Sequence, residues 1–339
     1  MSDGAGGAHG AETSAAIGDA GGTAAPVPSI RGVPVTDVSA VAGGALWTLA
    51  VVAGDLSPVE QALAIAPLVV VPLGIGLAAE RGFDGTPGAL LALAAVTQPA
   101  TAPLVLVSLV ASSELIATLA AAAWVPVTGL LGLASLVRVR ERGFASIDLS
   151  ETLVDAGLAY TVVAAVALVL FHRGITFWFD PVIVLLTAVH FHFAGFALPV
   201  LAGVTGRHLD GFEGLARSIA GVILVGPAII AVGISFSPLV EILAVSVFTL
   251  AVAAFGLLVL VRAVPSLDVL PAALVGLSAL ALPASMVLAL GYGVAAFSGT
   301  NPLGLSIGRM VSLHGSLNAY GFALCGVLGW RVANGSTQG

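Results

Sequence analysis

The sequence predicts an all-α, polytopic membrane helix bundle of about ten transmembrane helices, and three features carry that prediction. Of 339 residues, 58% are hydrophobic and only 9% charged, against about 25% charged in a soluble domain. The apolar residues fall in long continuous runs, without the period-two alternation of a membrane strand. The arginines sort to one side of those runs. So few charges cannot build a water-facing surface. The solvent is lipid, which admits only helices and closed barrels.

The runs fall at roughly 38–54, 60–79, 88–110, 115–137, 152–171, 181–204, 218–236, 239–261, 268–292 and 305–330. Each is long enough to cross a hydrocarbon layer of about 30 Å. Only Ser112, Ser113 and Glu114 separate the third from the fourth. With the N-terminus inside, one set of loops holds Arg31, Arg81, Arg138, Arg140, Arg142, Arg207, Arg217, Arg262 and Arg331, and the other holds Arg173 and Arg309. Nine against two is a positive-inside asymmetry. It predicts an even span count in the plasma membrane, with both termini cytoplasmic.

Residues 1–36 are Gly/Ala-rich and acidic and are expected to be a disordered tail, followed by a membrane domain over 37–331 and a flexible tail over 332–339. The first residues lack a positive n-region and an apolar h-region, so no cleavable signal peptide is read. The loops are short. Phe177, Trp178 and Phe179 fall where an aromatic belt is expected. The formal charge is 11 − 18 = −7, and every cation is arginine. The expected partner is the lipid bilayer, and no nucleic-acid surface is expected. A single cysteine, Cys325, excludes an intramolecular disulfide and Cys-rich zinc or iron–sulfur sites. Prolines 99, 103, 126, 199, 227 and 283 lie inside spans, where neighbouring helices can satisfy the freed carbonyls.

The sixth span holds His190-Phe191-His192 about 15 Å from its outer end, near mid-bilayer depth. Titratable side chains there are costly and need partners. On a regular helix, positions i and i+2 point about 200° apart, so His190 and His192 are expected to serve two environments. The tenth span holds His314 and Asn318 on one face, with Tyr320 nearby. Both spans run outside to inside, so His314 can meet one of the sixth-span histidines. These residues, with Gln98 of the third span, form the candidate ligand or proton path, and His190, His192 and His314 are the candidate metal ligands. Asp155 reads as an interfacial carboxylate ahead of a proton-relay one, and Tyr160 as a minor polar position. Glu114 and Glu241 read as helix-start carboxylates, and His9, His172 and His208 as solvated. No phosphate loop, nucleophile elbow, HExxH or CxxC motif occurs, and no catalytic residue is assigned.

The segments His190–Gly203 (HFHFAGFALPVLAG) and Leu313–Phe322 (LHGSLNAYGF) resemble the YndJ-like family of bacterial and archaeal multi-pass membrane proteins. That resemblance covers about 38–331 and implies topology more than activity. The H-F-H and H-G patterns also resemble the histidine helices of haem–copper oxidase subunit I. There the order of the two helices is reversed, and this sequence offers no second histidine cluster for copper. Three functions are expected: transport of a small solute or ion through the histidines, haem or transition-metal binding in redox or gas sensing, or a structural role without ligand.

Overall fold

The computed structural model describes residues 27–54, 56–143 and 148–336. It contains ten helices long and apolar enough to cross a membrane: α1 (Val35–Ala53), α2 (Pro58–Ala78), α3 (Gly85–Val110), α4 (Glu114–Arg142), α5 (Leu149–His172), α6 (Pro181–His208), α7 (Gly214–Phe236), α8 (Pro238–Ser266), α9 (Val269–Ser298) and α10 (Ile307–Gly335). These match the ten expected runs, each extended by a few residues. Of the expected 1–36 tail, residues 1–26 lie outside the described residues. Ser29–Ile30 pairs antiparallel with Val33–Pro34, and α1 follows directly. At the other end α10 continues to Ser336.

α2 is the central helix and is buried along nearly its whole length. It is flanked by α1, α3, α6 and α10. Glycines permit the closest approaches. A Cβ on Gly43 of α1 would lie 2.1 Å from the Leu68 carbonyl of α2, and one on Gly74 of α2 would enter the Phe196 ring of α6. Small residues at such crossings replace the hydrophobic drive that lipid cannot supply. α7 and α8 sit at the periphery. Leu239, Leu243, Val247, Leu250, Leu257 and Val261 form one exposed stripe on α8, the face that lipid requires.

Three prolines follow widened helix turns, while Pro99, Pro103, Pro227 and Pro283 sit in continuous α-helix. α2 opens into π-helical turns over Ala66–Val70, two residues before Pro72. α6 does so over Phe191–Ala197, before Pro199, and α8 over Val259–Ala263, before Pro265. Proline lacks an N–H and its ring clashes with the carbonyl four residues back, and in these three helices the preceding turn widens to accommodate it. α10 widens over Val311–Gly315 and Leu317–Leu324, and no proline follows.

The termini share one rim of the bundle, since Arg331 of α10 clasps Asp37 of α1 through both carboxylate oxygens at 3.0 and 2.9 Å. That rim is tied by arginines. Arg138 of α4 pairs with Asp155 of α5 at 2.8 Å and with Glu151. Arg142 pairs with the other Asp155 oxygen at 2.8 Å. Arg207 of α6 grips Glu151 at 2.8 and 2.7 Å, and donates to the Leu77, Ala78 and Arg81 carbonyls at the end of α2. A guanidinium there satisfies orphan carbonyls and complements the helix dipole. Asp155 thus lies near the interface, as expected, and is buried there within the arginine network. Opposite, Arg173 meets Glu114 at 3.0 Å in the open, and Trp178 stacks toward Phe236 in an exposed aromatic patch.

Two predictions follow from this rim. Arg207→Met leaves Glu151 buried with an incomplete partner set and strips the end of α2. It is expected to cost about 3–5 kcal/mol, read as a large fall in thermal midpoint in detergent, whereas Arg173→Met stays within about 1 kcal/mol. Near Arg331, Glu80 competes with Asp37 for one cation, and burial pushes its carboxyl above the usual value against the pull of Arg331, Asn334 and Arg207. A carboxyl raised in the fold contributes stability that is lost as pH rises through its folded value. Glu80→Gln is thus expected to be neutral or stabilising at pH 8 and to flatten the decline between pH 4 and 8, measured by thermal melts across that range.

Candidate functional site

The two histidine motifs meet between α6 and α10. His190 closes the regular first half of α6, and His314 lies in the first widened turn of α10. Their ring centroids are 6.4 Å apart with planes inclined by 31°. His190 Nδ1 lies 2.7 Å from the Leu186 carbonyl. A carbonyl only accepts, so the ring carries its proton on Nδ1. His314 Nδ1 faces the Ser285 carbonyl of α9 at 3.1 Å and the Ser285 hydroxyl at 2.9 Å. Asn318 Nδ2 donates to the His314 carbonyl at 2.8 Å, contacts the Ser285 hydroxyl, and lies 3.3 Å from His314 Nε2. Ser285 is wholly buried, His314 is half-buried and His190 is exposed.

Asn318 also explains the shape of α10. Its side chain takes the carbonyl four residues back, the acceptor that a regular helix gives to the Asn318 N–H. The backbone then shifts to wider pairing without any proline. Such widened turns recur at functional sites.

His192 goes elsewhere. It is fully buried, its Nδ1 meets the Ala188 carbonyl at 2.8 Å, and Trp124 Nε1 of α4 donates to its Nε2 at 3.2 Å. Both ring nitrogens are engaged, which leaves none for a metal shared with His314. The two histidines do serve separate environments, although α6 widens from Phe191 onward and the regular-helix angle no longer applies.

The remaining expected positions are structural in their contacts. Gln98 accepts from Ser39 Oγ of α1 at 2.6 Å and donates to the Pro67 carbonyl of α2 at 2.7 Å. That carbonyl needs help. Val71 N–H goes to Ala66 in the widened turn, and Pro72 has no N–H to offer. Tyr320 turns to α1 and packs on Trp47, with ring centroids 5.8 Å apart. Tyr160 donates to the Leu224 carbonyl of α7 at 3.0 Å. His208 meets Ser266 at 2.7 Å and the Trp330 ring. His172, expected to be solvated, is half-buried with an enclosed Nε2 that has no hydrogen-bond partner among the described residues. His9 lies outside the described residues.

Sequence reasoning missed Ser285 and Trp124. Ser285 carried a signal, a polar residue two positions after Pro283 in an apolar run. Trp124 had none, because an indole in a membrane span reads as packing.

Among the described residues, no carboxylate joins the site. The acidic residues of the spans, Asp37, Glu60, Glu114, Glu141, Glu151, Asp155 and Glu241, all lie within seven residues of a span end. Among the described residues, no three His, Cys, Asp or Glu side chains gather to hold a metal ion. An open groove of about 670 Å³ lies between α9 and α10 at the rim opposite the termini, lined by Leu288, Leu303, Leu305, Ser306, Gly308, Arg309, Ser312 and Leu313. Leu288 is three residues from Ser285 and Leu313 precedes His314, so the groove ends about one helical turn from the cluster.

A family model described as YndJ-like protein matches residues 61–322, which include both histidine motifs. The chain is also 34% identical over 154 residues to the uncharacterized membrane protein YndJ of Bacillus subtilis (strain 168). That alignment takes in 45% of this chain and 28% of the relative, so the match spans little more than a quarter of the relative's length. No solved structure matches the chain. By the extent of the family match, the chain is a multi-pass membrane protein that belongs to the YndJ-like family.

Proposed function

We propose that the chain transports a small solute or ion across the plasma membrane, with both termini cytoplasmic and the His190–His314 pair on its path. The observation that carries this reading is the unspent Nε2 of His190. It sits in mid-span, its ring is exposed, and its only hydrogen bond among the described residues is made by Nδ1. A side chain there without a partner is costly unless something else meets it.

Two further observations support the reading. The groove above Ser285 and His314 opens away from the termini, while the terminal rim is closed by the Arg138, Arg142 and Arg207 network. Access from one side and a lock on the other is the arrangement alternating access needs. The nine-to-two arginine split supports cytoplasmic termini. A haem-binding redox role has less support, because His192 has both nitrogens engaged and cannot act as an opposed axial ligand. A purely structural role accounts for His192, Ser285 and Asn318 but leaves His190 Nε2 unexplained.

Cysteine accessibility tests the path without knowledge of the substrate. In a Cys325→Ser background, His190→Cys and Ser312→Cys are expected to react with a membrane-impermeant thiol reagent added from outside the cell. Lipid-facing Leu250→Cys stays inert. A His190→Cys that is as inert as Leu250→Cys would sink the proposal. Reporter fusions at either terminus are expected to be active only if cytoplasmic folding suffices, and activity of a reporter that requires export would reverse the orientation.

A further inference from the structure

We infer that the His190–His314 pair is a two-coordinate site for a soft monovalent metal cation of the Cu(I) or Ag(I) class. The inference rests on the reading of this cleft as the transport path and names the ion class it would carry.

The tautomers come first. His190 gives its Nδ1–H to the Leu186 carbonyl, and His314 turns its Nδ1 to the Ser285 carbonyl. His190 is thus set with a lone pair on Nε2, and His314 takes the same tautomer when its Nδ1–H serves the Ser285 carbonyl while the Ser285 hydroxyl, 2.9 Å from Nδ1, also accepts. A second-shell carbonyl on Nδ1 is the usual way a metal-binding imidazole is oriented and made more basic. Asn318 Nδ2 approaches His314 Nε2, as a donor does to a lone pair, at a long 3.3 Å. The amide keeps the His314 carbonyl and the Ser285 hydroxyl as acceptors when an ion displaces it.

The spacing comes next. Two imidazoles bridged linearly by one ion, with each metal–nitrogen bond near 2 Å, place their ring centroids about 6 Å apart. The observed separation is 6.4 Å.

The charge decides the ion. A divalent or hard ion at this depth needs carboxylates or a shell of oxygens. The nearest acidic residues stand at the span ends, and no third His, Cys, Asp or Glu joins the pair. A bare divalent charge held by neutral nitrogens in a low-dielectric interior is heavily penalised. A monovalent d10 ion carries half the charge and is satisfied by two nitrogen donors. The chain has three methionines. Met286 follows Ser285 in α9 and Met310 stands one turn before His314 in α10. Thioethers favour Cu(I) over harder ions.

The test uses the full chain in nanodiscs with Cys325→Ser, which removes the one thiol that would itself take these ions. Titration with silver nitrate, followed by calorimetry, is expected to give one Ag(I) per chain. His190→Ala and His314→Ala each reduce that to none, and His192→Ala keeps it. X-ray absorption on Cu(I)-loaded, otherwise unchanged protein is expected to report two nitrogens near 2 Å, so the result does not depend on a variant that misfolds. Retained Ag(I) in the double His190→Ala/His314→Ala chain, an all-sulfur shell, or equal one-to-one binding of Zn(II) would overturn the inference. If the metal is refused while His190→Cys still reacts from outside, the path reading stands and the ion class falls. If His190→Cys is inert, the path reading falls as well.

Discussion

Every backbone carbonyl inside the bilayer must find a donor, because lipid offers none. This constraint governs where the polar side chains of the bundle go. Pro72, Pro199 and Pro265 follow widened turns, Pro99, Pro103, Pro227 and Pro283 sit in continuous α-helix, and polar side chains of neighbouring helices donate to carbonyls along the spans. Gln98 serves Pro67, Tyr160 serves Leu224, and Ser278 of α9 donates to Phe322 of α10 at 2.7 Å. Where a proline frees Ala279, Gly256 of α8 lies directly on that carbonyl. At the terminal rim Arg207 serves the last carbonyls of α2. Polarity in this chain is mostly backbone repair. That is why most polar positions that look functional in the sequence prove to be helix fasteners, and why His190 Nε2, a mid-span nitrogen with no hydrogen bond among the described residues, stands out.

The bundle itself was legible in the sequence for a simple reason. Span count depends on the length of apolar runs and on loop arginines, and both are local properties. The separation of His190 from His192 was legible too, because any helix turns successive alternate residues to different neighbours. The widened turns were not. They depend on which carbonyl each N–H chooses, a choice settled by prolines in α2 and α6 and by the Asn318 side chain in α10. Nor was the partner of His314. Ser285 lies 29 residues away on a helix that the sequence alone could not place beside α10. The burial of Asp155 was not legible, because it comes from Arg138 and Arg142 of α4 closing over it, and nothing local to α5 reveals that.

The two rims differ in how they are held. At the termini, Arg138, Arg142 and Arg207 share two carboxylates, Glu151 and Asp155, and backbone carbonyls accept further donors of Arg138 and Arg207. Three cations against two anions leave one charge in excess, and carbonyl dipoles stabilise it. Arg138 also lies 4.4 Å over the Phe83 ring. Such a lattice is cooperative, since removing one member strands the others. The opposite rim has one exposed ion pair and an aromatic patch, and interactions of that kind contribute little. Any rearrangement that opens the bundle therefore begins more cheaply at the rim opposite the termini, around α9 and α10, than at the arginine lattice.

The neutrality of the histidine cluster follows from its depth. A carboxylate beside His190 would have to be desolvated at mid-span, and the fold keeps all its acids near the rims where arginines and water reach them. What remains available at that depth is imidazole, hydroxyl and amide. These groups orient one another through Ser285 and Asn318 at no cost in buried charge, and they hold two ring nitrogens ready without committing them. On the proposed reading, a site built this way would select by softness and by charge number rather than by field strength, and the groove of α9 and α10 lies on the side of it away from the arginine lattice.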